Sequence, residues 1–83
     1  MSDIVWTRDS EWRSAQHAEK AIIGEYELVV FDLAADEHHQ AEIGWEIFAG
    51  PGRTDQLATG HCSTLEEAKR AAETAWWAVA NMS

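Results

Sequence analysis

The sequence predicts a single α+β domain in which an antiparallel sheet of three to four strands packs against one C-terminal helix. Two runs rich in β-branched and aromatic residues flank a polar loop, and a third run leads directly into a helix-capping signal. An Ala-rich stretch without Gly or Pro follows that signal. The order strand, strand, strand, helix is typical of a meander with one helix packed on one face. A length of 83 residues allows one domain.

The N-terminal segment, residues 1–23, allows two interpretations. Trp12, Ala15, Ala18 and Ile22 have helical spacing, which permits a helix. The same segment could instead be extended and carry Trp12 onto the sheet. We favour extended or irregular structure, with a short strand at residues 4–7.

The sheet is expected within residues 24–62. The strongest strand is 26–33, the second is 43–49, and a Gly-Pro-Gly turn ends it. The polar segment between these strands is long enough for a hairpin loop. A third strand is expected at 56–62.

The helix is expected within residues 63–81. Ser63 with Glu66, and Thr64 with Glu67, form overlapping capping boxes at its start. At 100° per residue, one apolar stripe follows. It consists of Leu65, Ala68, Ala72, Ala75, Trp76 and Val79.

Alternation along the strands assigns two faces to the sheet. The helix is expected to cover Tyr26, Leu28, Val30, Ile43, Trp45 and Ile47, with the small residues Ala58, Gly60 and Cys62. The opposite face is expected to carry Glu25, Glu27, Val29, Phe31, Glu42, Glu46 and Phe48. Exposed apolar side chains among carboxylates need a cover. Either the N-terminal segment with Trp6 and Trp12 supplies it, or a partner or second copy does.

Net charge excludes two classes of direct partner. The chain has 15 acidic and 6 basic residues, and a net charge of −9. Such a surface repels nucleic-acid phosphates and anionic membranes. The single cysteine permits no intrachain disulfide, and no apolar run is long enough to span a bilayer. We expect a cytoplasmic protein without a signal peptide.

The negative charge is concentrated in residues 21–52, which contain no Lys or Arg. The acidic residues there are Glu25, Glu27, Asp32, Asp36, Glu37, Glu42 and Glu46. Their repulsion costs stability. One interpretation is solubility; the other is an electrostatic docking surface for a basic protein. Carboxylates alternating on a strand lie about 6.6–6.8 Å apart, whereas the charges of one DNA strand rise by about 3.4 Å each along the helix axis. The spacings need not match one for one, so such a face could compete with nucleic acid. Phe31, Phe48 and Trp77 would supply its apolar contacts.

Catalytic and metal-binding motifs are weak. His38 and His39 lie beside Asp36 and Glu37, but adjacent histidines rarely form one compact metal site, which favours a solvated loop. His61 and Cys62 should point to opposite faces of a strand and so should not pair. The turn at Gly50 lacks the context of a phosphate-binding loop. We expect no catalytic residues, no metal, no cofactor and no enzymatic activity.

A pattern running from Trp12 to Glu73 resembles small proteins of phages and mobile elements. Its parts are Gly24-Glu-Tyr-Glu-Leu28, Gly44-Trp-Glu-Ile47, Ala58-Thr-Gly60, Ser63-Thr-Leu-Glu-Glu-Ala-Lys69 and Ala72-Glu73. The final strand and the Ser-x-x-Glu helix are similar to the sheet–helix part of HicB-type antitoxins. We expect no DNA-binding segment of the kind that such antitoxins often append. Residues 21–52, which we call the acidic hairpin, resemble the surfaces used by anti-CRISPR inhibitors.

These resemblances imply a non-catalytic acidic binding protein of a bacterial host's cytoplasm. The leading hypothesis is an anti-CRISPR-like inhibitor that blocks a basic nucleic-acid-binding surface of a CRISPR–Cas effector by DNA mimicry. The alternative is a HicB-like antitoxin or a dimeric structural module. It would form a homodimer through Phe31, Phe48 and Trp77.

Overall fold

The computed structural model describes residues 4–9, 15–38, 40–50 and 52–81. They form one antiparallel sheet in the order β1-β2-β3-β4-β5, followed by one helix. The elements are β1 (Thr7–Arg8), β2 (Ala15–Ile23), β3 (Tyr26–Leu33), β4 (Glu42–Ala49), β5 (Asp55–Cys62) and α1 (Leu65–Ala80). The α+β fold with a C-terminal helix is confirmed. The sheet has five strands among the described residues, so the expected three to four is a slight undercount.

The additional long strand is β2. It lies in the N-terminal segment, for which the sequence permits either a helix or extended structure. β2 pairs with β3 along nearly its whole length, so residues 15–23 are extended. Gly24 has a φ of +60°, and Glu25 does not have a positive φ. A two-residue turn with glycine first is the type II′ hairpin. Glu25 therefore lies in this turn and not on the outer face of a strand; Trp12 lies outside the described residues.

The core lies between α1 and the sheet. Its fully packed centre is Ala21, Leu28, Ile47 and Ala72. Trp6, Tyr26, Trp45, Ala58 and Trp76 pack around it. The small Ala68 and Ala72 side chains let the helix approach the strands closely. Strand alternation thus assigned the helix-covered face correctly.

Polar contacts hold one flank of α1 against β2 and the chain before β1. Lys69 Nζ lies 2.9 Å from Glu19 Oε2. The Trp6 indole donates a hydrogen bond of 3.0 Å to Glu73. Trp6 therefore lies on the helix side of the sheet, so it does not cover the opposite face as one interpretation proposed.

Two aromatic rings occupy space that glycine leaves open on the neighbouring strand. Phe31 pairs with Gly44, and a Cβ atom on Gly44 would lie 2.8 Å from the Phe31 ring. Trp45 pairs with Gly60 on the helix side, where a Cβ atom would lie 2.6 Å from the Trp45 ring. Each ring therefore depends on the absence of a side chain across the ladder.

The outer face is the face of the sheet opposite α1. Its apolar side chains are more deeply buried than strand alternation predicted. Val29 is 0% exposed and Phe31 is 5% exposed, although both lie on this face. The expectation that they are exposed is wrong. β3 is consequently buried on both sides over its four central residues.

Of the two candidate N-caps, Ser63 and Thr64, the structure uses Thr64. Thr64 has an extended φ of −139°, and its side chain accepts a hydrogen bond of 3.1 Å from the Glu67 amide. The helix ends at Ala80, one residue before the expected Asn81, whose amide donates to the Trp77 carbonyl. Within the described ranges, α1 is too short and polar to cross a membrane.

Thr64→Ala should destabilise the protein more than Ser63→Ala. The first substitution removes the cap and should lower the free energy of unfolding by about 1 kcal/mol. Ser63 is exposed and lies before the cap, so its substitution should change stability by less than about 0.5 kcal/mol. Urea unfolding of both variants measures the difference. Equal losses would contradict the assignment of Thr64 as the cap.

Candidate protein-binding surface

The seven acidic residues within residues 21–52 do not form one surface. Glu25 lies in the β2–β3 turn, while Glu27, Glu42 and Glu46 lie on the outer face. Asp32 lies on the helix side near the end of β3, opposite Ile43. Asp36 and Glu37 lie in the exposed loop between β3 and β4.

An ion-pair cluster of Asp9, Glu27 and Arg53 crosses the outer face. The Arg53 guanidinium donates to Glu27 Oε2 from Nε at 3.1 Å and from Nη2 at 2.9 Å. Nη2 also donates to Asp9 Oδ2. Asp9 follows β1, and its amide donates to the Ala18 carbonyl at 2.9 Å. The cluster therefore connects the N-terminal segment, β3 and the β4–β5 loop.

The Arg53 cluster is largely desolvated. The Asp9 side chain is 0% exposed and the Arg53 side chain is 19% exposed. Burial alone would lower the pKa of the Arg53 guanidinium, but hydrogen bonds to Glu27 and Asp9 outweigh burial and raise it. The guanidinium also lies 5.9 Å from the Phe48 ring centroid. Glu27 and Phe48 are thus engaged within the chain, although the sequence suggested both as partner-binding residues.

Glu46 and Glu42 lie on the outer face of β4, with Gly44 between them. Burial raises the pKa of the Glu46 carboxyl, the nearby Arg53 charge opposes the rise, and repulsion from Glu42 adds to it. Gln56 donates a hydrogen bond of 3.0 Å to Glu46. Glu42 contacts His61 Nε2. Both carboxylates therefore have polar neighbours on β5.

Four carboxylates lie around the β3–β4 loop, at one end of the sheet. We call Asp32, Asp36, Glu37 and Glu42 the acidic end. Asp36 accepts a hydrogen bond of 2.8 Å from the His38 amide, which shapes the loop locally. Within the described part of the chain, no Lys or Arg forms an ion pair with Asp32 or Glu37. Glu25 lies at the other end of β3, and the eight residues of β3 separate it from the β3–β4 loop by about 27 Å.

The three aromatic residues suggested for a partner contact have different environments. Phe31 is buried, so it cannot contact a partner without opening the sheet. Phe48 is half-buried and lies near the Arg53 guanidinium. Trp77 is 63% exposed and stacks edge-on against Trp76. Of the three, Trp77 is available as the sequence suggested.

The sequence did not indicate the role of Arg53. The count of uncompensated carboxylates ended at Gly52, one residue before the cation that neutralises Glu27. Arg53 has a φ of +57°, a left-handed conformation that a turn rich in glycine makes possible. That turn was the one available signal.

The sequence contains two motifs that could serve metal or thiol chemistry, at His38-His39 and at His61-Cys62. Across the described ranges, no three His, Cys, Asp or Glu side chains are placed to hold a metal ion. His61 lies opposite Gly44 on the outer face, whereas Cys62 lies opposite Ile43 on the helix side. The two side chains point apart as expected. His39 lies outside the described residues.

No family model, curated protein or solved structure matches this chain.

Arg53→Ala should lower the free energy of unfolding by about 3 kcal/mol, because it removes the cation shared by two carboxylates, one of them buried. Arg70→Ala is the matched control. Arg70 is exposed on α1, and its substitution should cost less than about 0.5 kcal/mol. Urea unfolding measures both. A loss for Arg53→Ala no larger than the control would contradict the ion-pair cluster.

Glu19→Gln and Glu46→Gln should change stability in opposite directions. Burial alone would raise the pKa of Glu19, but hydrogen bonds from Lys69 and His17 outweigh burial and lower it. Ionised Glu19 therefore stabilises the fold above its ordinary pKa of 4.5, and this contribution is lost as the pH falls through the folded-state pKa. The raised pKa of Glu46 means that its ionisation costs stability above 4.5.

At pH 7, Glu19→Gln should therefore lower the free energy of unfolding and Glu46→Gln should raise it. Both differences should disappear in acid, where each carboxyl is protonated in the folded and unfolded states. Urea titrations over a pH series test this. A difference of the same sign for the two variants at pH 7 would contradict the assigned causes.

Proposed function

We propose that this chain is a non-catalytic binding protein whose acidic end docks onto a basic, nucleic-acid-binding surface of another protein. The supporting observation is the uneven compensation of charge. Arg53 and Lys69 are bound to carboxylates elsewhere in the fold, while Asp32 and Glu37 have no such cation among the described residues.

The acidic end has the physical properties that electrostatic docking requires. Asp36 and Glu37 are exposed in the loop before β4, and Glu42 is half-buried at the start of β4. Like charges left close together cost stability, but they produce a local field that speeds the encounter with a basic partner by about 10- to 1000-fold. Association should therefore be fast and should slow as salt screens the field.

A protein that normally binds nucleic acid is the partner class that this chemistry favours. Its basic groove attracts closely spaced negative charges regardless of the chain that carries them. The resemblance of the acidic hairpin to anti-CRISPR inhibitors suggests a CRISPR–Cas effector, inhibited by DNA mimicry. The contact would rest on the acidic end, because Glu27 is neutralised by Arg53.

The alternative, an antitoxin-like or dimeric module, has less support in its original form. That hypothesis placed an apolar interface on Phe31, Phe48 and Trp77. Phe31 is buried and Phe48 is half-buried, so Trp77 alone of these is well exposed.

Competition with DNA tests the proposal. Purified DNA-binding CRISPR–Cas effectors are mixed with labelled DNA, and the wild-type chain is added as competitor. The chain should displace DNA from a susceptible effector, and stopped-flow association should slow markedly with added salt. Asp36→Lys combined with Glu37→Lys should slow association at least about tenfold.

Glu25→Lys combined with Asp55→Lys is the matched control. Each double variant has the same net charge, −5 instead of −9, but the control changes exposed residues at the opposite end of the sheet. The control should retain most of the wild-type association rate. Equal slowing of both variants would show that net charge alone acts, and no displacement by wild type from any effector would exclude the DNA-mimic role.

A further inference from the structure

The two edges of the sheet differ greatly in length. β1 forms one edge and has two residues. β5 forms the other edge, has eight residues and, among the described strands, pairs only with β4. A long edge strand carries a row of backbone groups that can pair with another chain, and proteins usually protect such edges with charges, prolines or bulges. On β5 this protection is confined to the start of the strand, where Asp55 stands and the pairing with β4 is irregular.

The rest of β5, which we call segment 58–62, offers backbone groups at two residues. It has no Asp, Glu, Lys, Arg or Pro, and it pairs regularly with β4. The Gly60 carbonyl oxygen lies 2.7 Å from the position of a Cβ atom on Gly44, so it points towards β4. Successive residues of an antiparallel strand direct their backbone groups to alternate sides. The amide and carbonyl groups of Thr59 and His61 therefore point outwards, to the open edge.

Carboxylates flank this edge. Neither β4 nor residues 54–68 contain Lys or Arg, and the preceding Arg53 is bound to Asp9 and Glu27. The acidic residues of these two stretches are Glu42, Glu46, Asp55, Glu66 and Glu67. Their charge repels a second copy of this acidic chain and attracts a segment that carries Lys or Arg.

Two of these carboxylates reach β5 across the outer face. Glu42 contacts His61, and Glu46 accepts a hydrogen bond of 3.0 Å from Gln56. Glu46 also lies opposite Thr59 in the ladder between β4 and β5. A basic side chain placed beside Thr59 or His61 by an added strand would therefore lie near a carboxylate.

The helix side of the same edge is apolar and has little side-chain bulk. Ala58, Gly60 and Cys62 are half-buried there. The Trp45 indole occupies the space above Gly60, where a Cβ atom would lie 2.6 Å from the indole nitrogen. A residue of an added strand opposite Gly60 would therefore direct its side chain towards this ring.

The flank of α1 that faces β5 is also apolar. Lys69 is bound to Glu19, so its side of the helix faces β2. Ala71 and Ala78 follow Lys69 by two and nine residues, which places them about 200° and 180° around the helix. They therefore lie on the flank towards β5, where they leave room for an apolar side chain.

We propose that segment 58–62 binds an extended segment of another protein in which basic and apolar residues alternate. The bound segment pairs antiparallel with β5 as a sixth strand. Its residues opposite Thr59 and His61 exchange backbone hydrogen bonds with them, and they carry Lys or Arg side chains on the outer face. Its residue opposite Gly60 is apolar and packs against the Trp45 indole.

The distances across the sheet suit this pattern. A lysine opposite Thr59 stands two strand spacings, about 9.6 Å, from Glu46. A lysine and a glutamate side chain together span that distance, because the lysine ammonium is carried on a flexible four-carbon stem. This contact is additional to the docking of the acidic end, and it does not require the partner to bind nucleic acid.

N-methylated peptides test the pairing. The probe is acetyl-Gly-Val-Lys-Val-Lys-Val-Gly-amide, whose two lysine amides would face β5. Methylating both lysine amides removes these donors and keeps every side chain, and methylating the second and third valine amides, which point away, is the matched control. The lysine-methylated peptide should bind at least about tenfold more weakly than the control, because it loses two hydrogen bonds.

Titration followed by backbone amide chemical shifts measures these affinities and locates the contact. Binding of the unmethylated peptide should shift the amides of Thr59 and His61 most. Equal affinities of the two methylated peptides would overturn the pairing. So would no binding of the unmethylated peptide at millimolar concentration, or shifts that are largest at Asp36 and Glu37.

A neutral peptide tests the requirement for basic residues. Glutamine in place of both lysines should weaken binding at least about fivefold, because Glu42 and Glu46 lose the facing cations. Equal affinity of the neutral and basic peptides would contradict a basic partner.

Two substitutions of Thr59 separate its backbone from its side chain. Thr59→Pro and Thr59→Val both remove the hydroxyl that donates to the Trp45 carbonyl, but only proline removes the outward amide. An edge strand tolerates proline where the missing N–H faces solvent. Thr59→Pro should bind the unmethylated peptide at least about fivefold more weakly than Thr59→Val. Urea unfolding checks that both variants are folded, and equal binding by the two folded variants would overturn the pairing.

The acidic-end variant separates this proposal from the proposed function. Asp36→Lys combined with Glu37→Lys changes the loop before β4 and leaves β5 intact. It should still bind the valine-methylated peptide more tightly than the lysine-methylated one, even where its association with an effector is slowed. Loss of that preference would contradict edge pairing, whatever the outcome of the competition with DNA.

Discussion

The bonds of one guanidinium determine how the outer face of this protein is closed. Arg53 adopts a left-handed backbone conformation, which costs a non-glycine residue about 1–2 kcal/mol. It nevertheless binds both Asp9 and Glu27. Charge-assisted hydrogen bonds contribute about 1.5–3 kcal/mol each, so two carboxylates are enough to offset the backbone cost. The β4–β5 loop is thereby fixed to β3 and to the chain that follows β1.

This interaction also determines where negative charge remains accessible. Glu27 is one of the seven acidic residues within residues 21–52, but Arg53 neutralises it in space. Glu46 is partly desolvated, and its raised pKa opposes ionisation. The exposed negative charge therefore lies in the β3–β4 loop, at Asp36 and Glu37, and not in the middle of the sheet. The negative charge is therefore distributed unevenly over the surface of the molecule.

Local patterns were sufficient to predict most of the fold. β3 begins and ends where its β-branched run does, and the capping signal at Thr64 marks the start of α1. Alternation assigned the helix-covered face because each buried set of side chains has a period of two. β2 was ambiguous because its small alanines fit helical and extended spacing equally well. The II′ turn at Gly24 pairs β2 with β3, and this pairing makes β2 extended.

The candidate site was less predictable because it depends on contacts between residues distant in sequence. Arg53 and Asp9 are 44 positions apart, and no local pattern joins them. The burial of Phe31 also depends on a neighbouring strand, since Gly44 supplies the space for its ring. Counting charges along the chain therefore identified residues 21–52 as acidic. It did not show that Arg53 neutralises Glu27, so it did not show which of these carboxylates remain accessible to solvent.

The central claim is that the accessible negative potential is concentrated at the acidic end, while Arg53 reduces it over the middle of the outer face. Paramagnetic relaxation of backbone amide protons by a cationic and an anionic nitroxide, compared residue by residue, measures this potential directly. The preference for the cationic probe should be strongest at residues 35–38 and 40–42 and weak around Val29 and Phe48. A preference that is uniform, or strongest over the middle of the outer face, would contradict the account.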